Sequence, residues 1–433
     1  SVENYYFNGS TIFKYLRKVL NEINNVYIDS GIRAAFIMKR YCEFYKIDPK
    51  KGARLALVTL LKDIGSFYQD ESIPKDNLAY RAVSSYTFLK NCSPLRDDSK
   101  PLLFYKARFI NGTDNEDYYY GLLITLVNQV VMYDYQEYCQ TEIEDLLKHD
   151  DSNTLHPQQI RRMIKLLKAQ PDILEKLNAK GSNLFAYEVS SYIVKFGDFS
   201  NEDLLGFIDT TNFSFEFHNH ETLAHTVTTA SIAYDLAVLS RLAESQIYEI
   251  YLAALLHDIG KIRIPKSILC YPGRLSDEDF KIMRKHVEYT REILESCFSY
   301  KIVEIASNHH EKLDGSGYPR GLREIDLSIG DKIIAISDVA SALYCRRSYK
   351  ESYDSESIFE ILEENASKGK LDKRIVNHFI DNYERIMANA KEKEKIVLAE
   401  YNDMKNEYAE LIHSEALLEL FNNPNAKCDI FDE

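Results

Sequence analysis

Apolar residues along most of this chain recur three and four positions apart, the spacing that lays them on one face of an α-helix. Near the start the run is Ile12, Tyr15, Leu16, Val19, Leu20 and Ile23, and the pattern continues to about residue 145 with few stretches that alternate as strands do. A polar run, His149-Asp-Asp-Ser-Asn153, then reads as a loop before a helix opening at Pro157. Pro171, Gly181 and Gly197 break the following stretch into two or three short helices. A second long helical region starts near Asp209. Past Tyr383 the chain becomes a highly charged helix in which Val397, Tyr401, Met404, Tyr408 and Leu411 keep a four-three spacing over about two heptads. That stripe suits either a homodimer contact or docking on the N-terminal region. The expected fold class is all-α, with a domain over 1–150, a connector over 151–206, a second domain over 207–385 and a helical extension over 386–433.

Two helical regions share a pattern beyond amphipathicity. Ala53-Arg-Leu-Ala-Leu-Val-Thr-Leu-Leu-Lys-Asp-Ile-Gly-Ser-Phe67 echoes Tyr248-Glu-Ile-Tyr-Leu-Ala-Ala-Leu-Leu-His-Asp-Ile-Gly-Lys-Ile262. Without gaps, His257 falls on Lys62, Lys261 on Ser66 and Asp258 on Asp63. Further on, Leu123–Val131 resembles Ile333–Ser341 and puts Asn128 where the later copy has Asp338. This is an internal repeat with a damaged first copy, or two unrelated helices that share Leu-Leu-x-Asp-Ile-Gly.

Composition narrows the functional classes. The 433 residues are long enough for two or three domains, and 45% hydrophobic with 28% charged content is that of a soluble globular protein. No apolar run reaches the span of a membrane helix, and the first twenty residues lack the basic-then-apolar order of a secretion signal, so a cytoplasmic location is expected. Seven cysteines without any Cys-x-x-Cys suggest neither a disulfide framework nor a thiolate zinc site. A net charge of −14 argues against binding a nucleic-acid polymer and favours a small anionic ligand held in a locally positive pocket.

The candidate chemistry is concentrated in two places. In Ser307-Asn-His-His-Glu-Lys-Leu-Asp-Gly-Ser-Gly-Tyr-Pro319, adjacent histidines and a carboxylate precede a glycine-rich turn, which points to the rim of a metal site. About fifty residues earlier, an apolar helix delivers His257, Asp258 and Lys261 at a glycine break. Glu221 and His225, four apart, share a helical face, a chelating geometry that is also that of a surface ion pair. His286 alone is an unremarkable surface histidine, whereas Asp338, at the inner end of an apolar helix, needs a partner that a metal would supply. Imidazoles and carboxylates without thiolates suit iron or manganese and could also hold zinc.

Together, His257-Asp258 and His309-His-Glu-Lys-Leu-Asp-Gly-Ser-Gly-Tyr-Pro319 resemble the HD-GYP branch of the HD phosphohydrolases. The resemblance runs to about Tyr383 and implies two tandem HD-type domains, the first degenerate. It implies metal ligands at Glu221, His225, His257, Asp258, His286, His309, His310 and Asp338, holding two or three divalent ions, iron first and manganese second. It further implies catalytic roles for Asp258 and Lys261, and substrate contacts from Lys261, Gly317, Tyr318, Pro319, Arg347 and Lys350. The implied activity is hydrolysis of a bacterial cyclic dinucleotide, cyclic di-GMP first. Cyclic GMP-AMP is the second reading, because of the damaged copy ahead of an intact one, and a non-hydrolysing receptor is the third. Departures from the family pattern are Tyr271 before a Pro-Gly where Lys is usual, Arg346 for an acid, Ser348 for proline, and Ser341 for a common Asp.

Overall fold

The computed structural model describes residues 8–67, 79–179, 184–216, 220–345 and 353–422. Among these residues the regular structure is helical, and the one β-type pairing is the isolated bridge between Asp314 and Arg323. Local sequence explains the helix starts. Asn24, Asp48 and Asn115 each accept a hydrogen bond from a first-turn amide, and Pro49 stands where its missing N–H costs nothing. No helix of the described residues is long and apolar enough to cross a membrane.

The chain forms two compact units whose boundaries differ from those expected. One comprises residues 23–210 with 401–433, the other residues 1–22 with 211–400. The expected connector is therefore part of the first unit. Its helix Pro157–Ala169 buries Met163, Ile164, Leu166 and Leu167, and Leu184–Phe196 buries Phe185, Ala186, Val189, Tyr192 and Ile193. The N-terminal helix Gly9–Ile23 joins the second unit up to residue 22, where Lys14 donates to the Ser296 carbonyl at 2.8 Å and Glu22 pairs with Arg263 at 2.6 Å. An amphipathic terminal helix buries its stripe wherever an apolar surface is offered, and chain order does not decide where that is.

The C-terminal stripe takes the docking alternative. Tyr401, Met404 and Tyr408 are buried within the first unit, Tyr408 lies edge-on to Tyr80 at 6.3 Å, and Glu407 binds Lys90 at 2.5 Å and Asn91 at 2.9 Å.

Each unit places its chemistry-bearing residues in the same way. In the second, helices His220–Leu239, Glu244–Leu256 and Ile329–Cys345 pack on one another, and in the first Asn25–Phe44 packs on both Pro49–Leu60 and Glu116–Tyr135.

Candidate metal centre

The apolar inner half of helix Glu244–Leu256, from Ile250 to Leu256, is buried apart from Tyr251 and carries the chain end into the unit's interior. His257 caps this helix, Asp258 leaves it at φ −101° and ψ 7°, and a 3-10 turn over Ile259–Arg263 follows. The turn is pressed against helix His286–Leu294 so closely that a Cβ on Gly260 would stand 1.9 Å from the His286 carbonyl oxygen. Thr290 locks this contact: its hydroxyl accepts from the Gly260 amide at 2.9 Å and donates to the His257 carbonyl at 3.1 Å.

Three site histidines are oriented by one device. Nδ1 of His257 lies 2.6 Å from the Ala254 carbonyl, Nδ1 of His286 2.7 Å from that of Met283, and Nδ1 of His309 2.7 Å from that of Ala306. A carbonyl only accepts, so each Nδ1 carries a proton, and in the neutral ring it is Nε2 that presents a lone pair to the interior. His225 is held differently. Ser341 Oγ lies 2.9 Å from its Nδ1 and 3.1 Å from its own carbonyl oxygen, while its Nε2 stands 2.9 Å from Asp338 Oδ1.

These groups converge on two carboxylates. Asp258 Oδ1 is 3.4 Å from His286 Nε2 and 3.5 Å from His309 Nε2, and its Oδ2 is 2.8 Å from Lys261 Nζ and 3.3 Å from His257 Nε2. Asp338 Oδ1 is 3.4 Å from His257 Nε2, and Oδ2 is 3.8 Å from His310 Nδ1. Two clusters result, His286-His309-His310 and His225-His257-Asp258, the donor atoms of each lying within 4.8 Å of one another. Asp258 has one oxygen toward each.

Burial alone would push the Asp258 and Asp338 carboxyls up, but facing groups, His257 and Lys261 for the first and His225 and His257 for the second, hold both well below the carboxylate range. Burial opposes charge on His257, yet Asp258 and Asp338 raise its pKa to about 10. Burial first, and neighbouring histidines next, lower His310, and burial lowers His309. The buried Nε2 of His257 stands 3.3 Å from Asp258 Oδ2 and 3.4 Å from Asp338 Oδ1 without a well-aligned hydrogen bond to either. An imidazole nitrogen gathered with two buried ionised carboxylates, and aligned on neither, fits a divalent cation.

The segment after His310 is a built loop at the rim. Glu311, the carboxylate that follows the paired histidines, is buried and accepts from the amides of Arg320 at 2.7 Å and Leu322 at 2.9 Å. Asp314 accepts from the Ser316 amide at 3.0 Å, Gly315 takes φ +80°, and a Cβ on Gly317 would come within 2.4 Å of the His310 carbonyl oxygen. Tyr318 stacks on the His310 ring at 4.9 Å and 26°, with the Arg284 guanidinium 4.4 Å from its own ring centroid. Gly317, Tyr318 and Pro319 remain partly exposed.

The other expected residues divide simply. His225, His257, Asp258, Lys261, His286, His309, His310 and Asp338 are brought together. Glu221 lies in the first turn of helix His220–Leu239, and its side chain is outside the described residues, as are Arg346, Arg347, Ser348 and Lys350. Thr290, Glu311 and Ser341 complete the support; Glu311 was visible as the carboxylate after the paired histidines and Ser341 as a departure from the family pattern, whereas Thr290 carried no signal in sequence.

In the first unit the corresponding place holds an ammonium group. The fully buried Lys62 Nζ lies 2.6 Å from Asp63 Oδ2 and 2.9 Å from Ser30 Oγ. Ser30 precedes Lys62 by 32 residues, as His225 precedes His257. Gly65 donates its amide to Ser85 Oγ at 2.9 Å, the counterpart of the Gly260–Thr290 bond, and Asn128 is buried on helix Glu116–Tyr135.

A helical domain closing five histidines and two aspartates around a buried centre that could hold cations defines a recognisable class. Residues 214–375 match the family model described as HD domain. The sequence is 42% identical to a 3'3'-cGAMP-specific phosphodiesterase of Vibrio cholerae over 40% of this chain and 34% of that protein. It is 36% identical to a cyclic di-GMP phosphodiesterase of Thermotoga maritima over 44% of this chain and 52% of that protein. The chain thus spans about a third to a half of the length of these relatives. A crystal structure of a cyclic GMP-AMP specific phosphodiesterase from V. cholerae aligns over 87% of this chain and 97% of its own, with a TM-score of 0.48 and 16% identity. The matched part of the chain is an HD domain, and its segment from His309 to Pro319 resembles that of the HD-GYP branch.

Proposed function

We propose that the chain is a metal-dependent phosphodiesterase that opens a cyclic dinucleotide, cyclic di-GMP, to the linear dinucleotide. The observation that carries this reading is the position of Asp258, one carboxylate oxygen toward His286 and His309 and the other toward His257 and Lys261. A carboxylate so placed suits a bridge between two cations.

When bound, a pair or trio of divalent ions, iron before manganese, would supply an activated water near neutral pH and neutralise charge on the phosphoryl oxygens. His225, His257, Asp258, His286, His309, His310 and Asp338 would hold the ions, with Glu221 supplying a further carboxylate for a third. Nδ1–H bonds to backbone carbonyls keep three of the rings aimed inward without any reorganisation on binding. Lys261, its ammonium on Asp258, is placed to donate to the attacking oxygen or to a phosphate oxygen. Gly317, Tyr318 and Pro319 shape the wall beside His310, and Arg347 with Lys350 would clamp phosphate.

Cyclic GMP-AMP is the second reading, favoured by the 42% identity to an enzyme named for it and by the Lys62 substitution in the first unit. Iron-reconstituted and manganese-reconstituted protein, incubated separately with cyclic di-GMP, cyclic GMP-AMP and cyclic di-AMP, tests both. Linear product from one of the first two ranks them, and binding without product from any would leave a receptor.

A further inference from the structure

The first unit carries a cavity of about 900 Å³ whose walls are basic and aromatic. Helix Leu184–Phe196 forms one wall. Phe185, Ala186, Val189 and Ile193 turn inward to the unit's core, and the stripe Leu184, Tyr187, Glu188, Ser191 and Lys195 faces the cavity. On a helix packed on one side only, the outer stripe is ordinarily polar. Here Tyr187 is 73% and Leu184 67% exposed, and Phe196 adds a partly exposed ring at the helix end.

Charge in the cavity runs against that of the chain. Four lysines, at 39, 46, 176 and 195, face it with two glutamates, Glu43 and Glu188, in a protein of net charge −14. Glu188 is already held by Arg40 at 2.8 Å, with Lys39 at 3.5 Å and Lys176 at 3.7 Å around it. Lys46 and Lys195 have no carboxylate within ion-pair distance among the described residues. Lys46 sits just past helix Asn25–Phe44 at φ +53°, and Lys195 Nζ stands 5.1 Å from the centre of the Phe196 ring. Two unpaired ammonium groups, one of them beside an aromatic face, are the complement of a flat ring carrying phosphate, and the volume is within the roughly 300–1,000 Å³ of small-molecule sites.

We propose that this cavity is a nucleotide-binding site, separate from the metal centre, in which Lys46 and Lys195 take the phosphate and Tyr187 with Phe196 takes the base. It is independent of whether the chain hydrolyses a cyclic dinucleotide.

The test uses the full metal-loaded chain and GMP as probe, with binding followed by equilibrium dialysis. Saturable binding of GMP is expected, with guanosine and inorganic phosphate each binding at least about tenfold more weakly because each supplies half of the complement. Lys46→Glu/Lys195→Glu should weaken GMP binding by about tenfold or more, and the uncharged change Tyr187→Ala, on an exposed side chain, should weaken it without altering the fold. Asp258→Asn should leave it unchanged. The proposal is overturned if GMP does not saturate at millimolar concentration, if phosphate alone binds as well as GMP, or if Asp258→Asn removes the binding while the cavity variants keep it.

Discussion

Ser341 holds His225 at two points, its hydroxyl 2.9 Å from Nδ1 and 3.1 Å from the carbonyl oxygen of the same residue. With the hydroxyl proton on the carbonyl, the oxygen accepts from Nδ1–H and leaves Nε2 for a cation shared with Asp338. A neutral hydroxyl does this orienting, at a position where the resembled family commonly has an Asp. Ser341→Ala should lower metal affinity or turnover by about 10–100-fold, and Ser341→Asp should recover most of the loss. Metal titration of the three proteins measures it, and an Ala variant equal to the parent would refute the orienting role.

Asp258→Asn keeps the shape of the carboxylate and removes the charge that faces both clusters. Turnover should fall below detection and metal content should drop, with helical circular dichroism unchanged because Asp258 lies in a turn. Elemental analysis of the parent after anaerobic reconstitution should give more than one equivalent of metal, and less than one would count against a multinuclear centre.

Gly260 and Gly65 make a matched pair. A Cβ would come within 1.9 Å of the His286 carbonyl oxygen at the first and 2.2 Å of the Ser85 amide nitrogen at the second. Each change to alanine should destabilise its own unit by about 1–3 kcal/mol or more, since backbone cannot move aside as a side chain can. Only Gly260→Ala should also depress turnover at temperatures where both variants are folded, because it displaces His257 and His286 together.

Lys62 and Asp63 are a buried pair, so removing one partner strands the other. Lys62→Ala should cost about 3–5 kcal/mol, and the double change Lys62→Met/Asp63→Leu markedly less. Asp63→Asn should leave hydrolysis nearly intact. Denaturant melts and assays on the same preparations check both statements, and a loss of turnover equal to that of Asp258→Asn would assign the first unit a catalytic part.

The metal-free protein should have its own pH dependence. His257 is raised in the fold to about 10, above its unfolded value of about 6.5, so its stabilising contribution is complete below about 6.5 and is lost as pH rises through 10. Asp258 and Asp338 are depressed, and their contribution is present above about 4 and lost on acidification below it. Metal-free stability should therefore decline between about pH 7 and 10, and metal loading, which requires a neutral imidazole, should remove that slope. Thermal melts across this range with and without metal decide it.

The centre was legible where its chemistry is contiguous. His257-Asp258 and His309-His310 stand beside helix ends and glycines that announce them, and the all-helical class followed from periodicity. His225, His286 and Asp338 carried no local signal stronger than that of a surface histidine or a buried acid, and only the family pattern joined them. The supports were hidden because each acts across the chain: Thr290 on Gly260 thirty residues earlier, Ser341 on His225 over more than a hundred. The unit boundaries were hidden for a related reason. Helices at 9–23 and 383–412 show that they are amphipathic but not which surface they cover.

The ammonium of Lys62 gives one half of this protein a property the other lacks. A cation tethered by a covalent side chain cannot be chelated, diluted or exchanged for a competing ion, so the integrity of the first unit is set at synthesis. The proposed metal centre around Asp258 would instead take its divalent cations from solution. If the centre holds metal as proposed, metal starvation would empty it while the first unit, which needs no ion, stays folded.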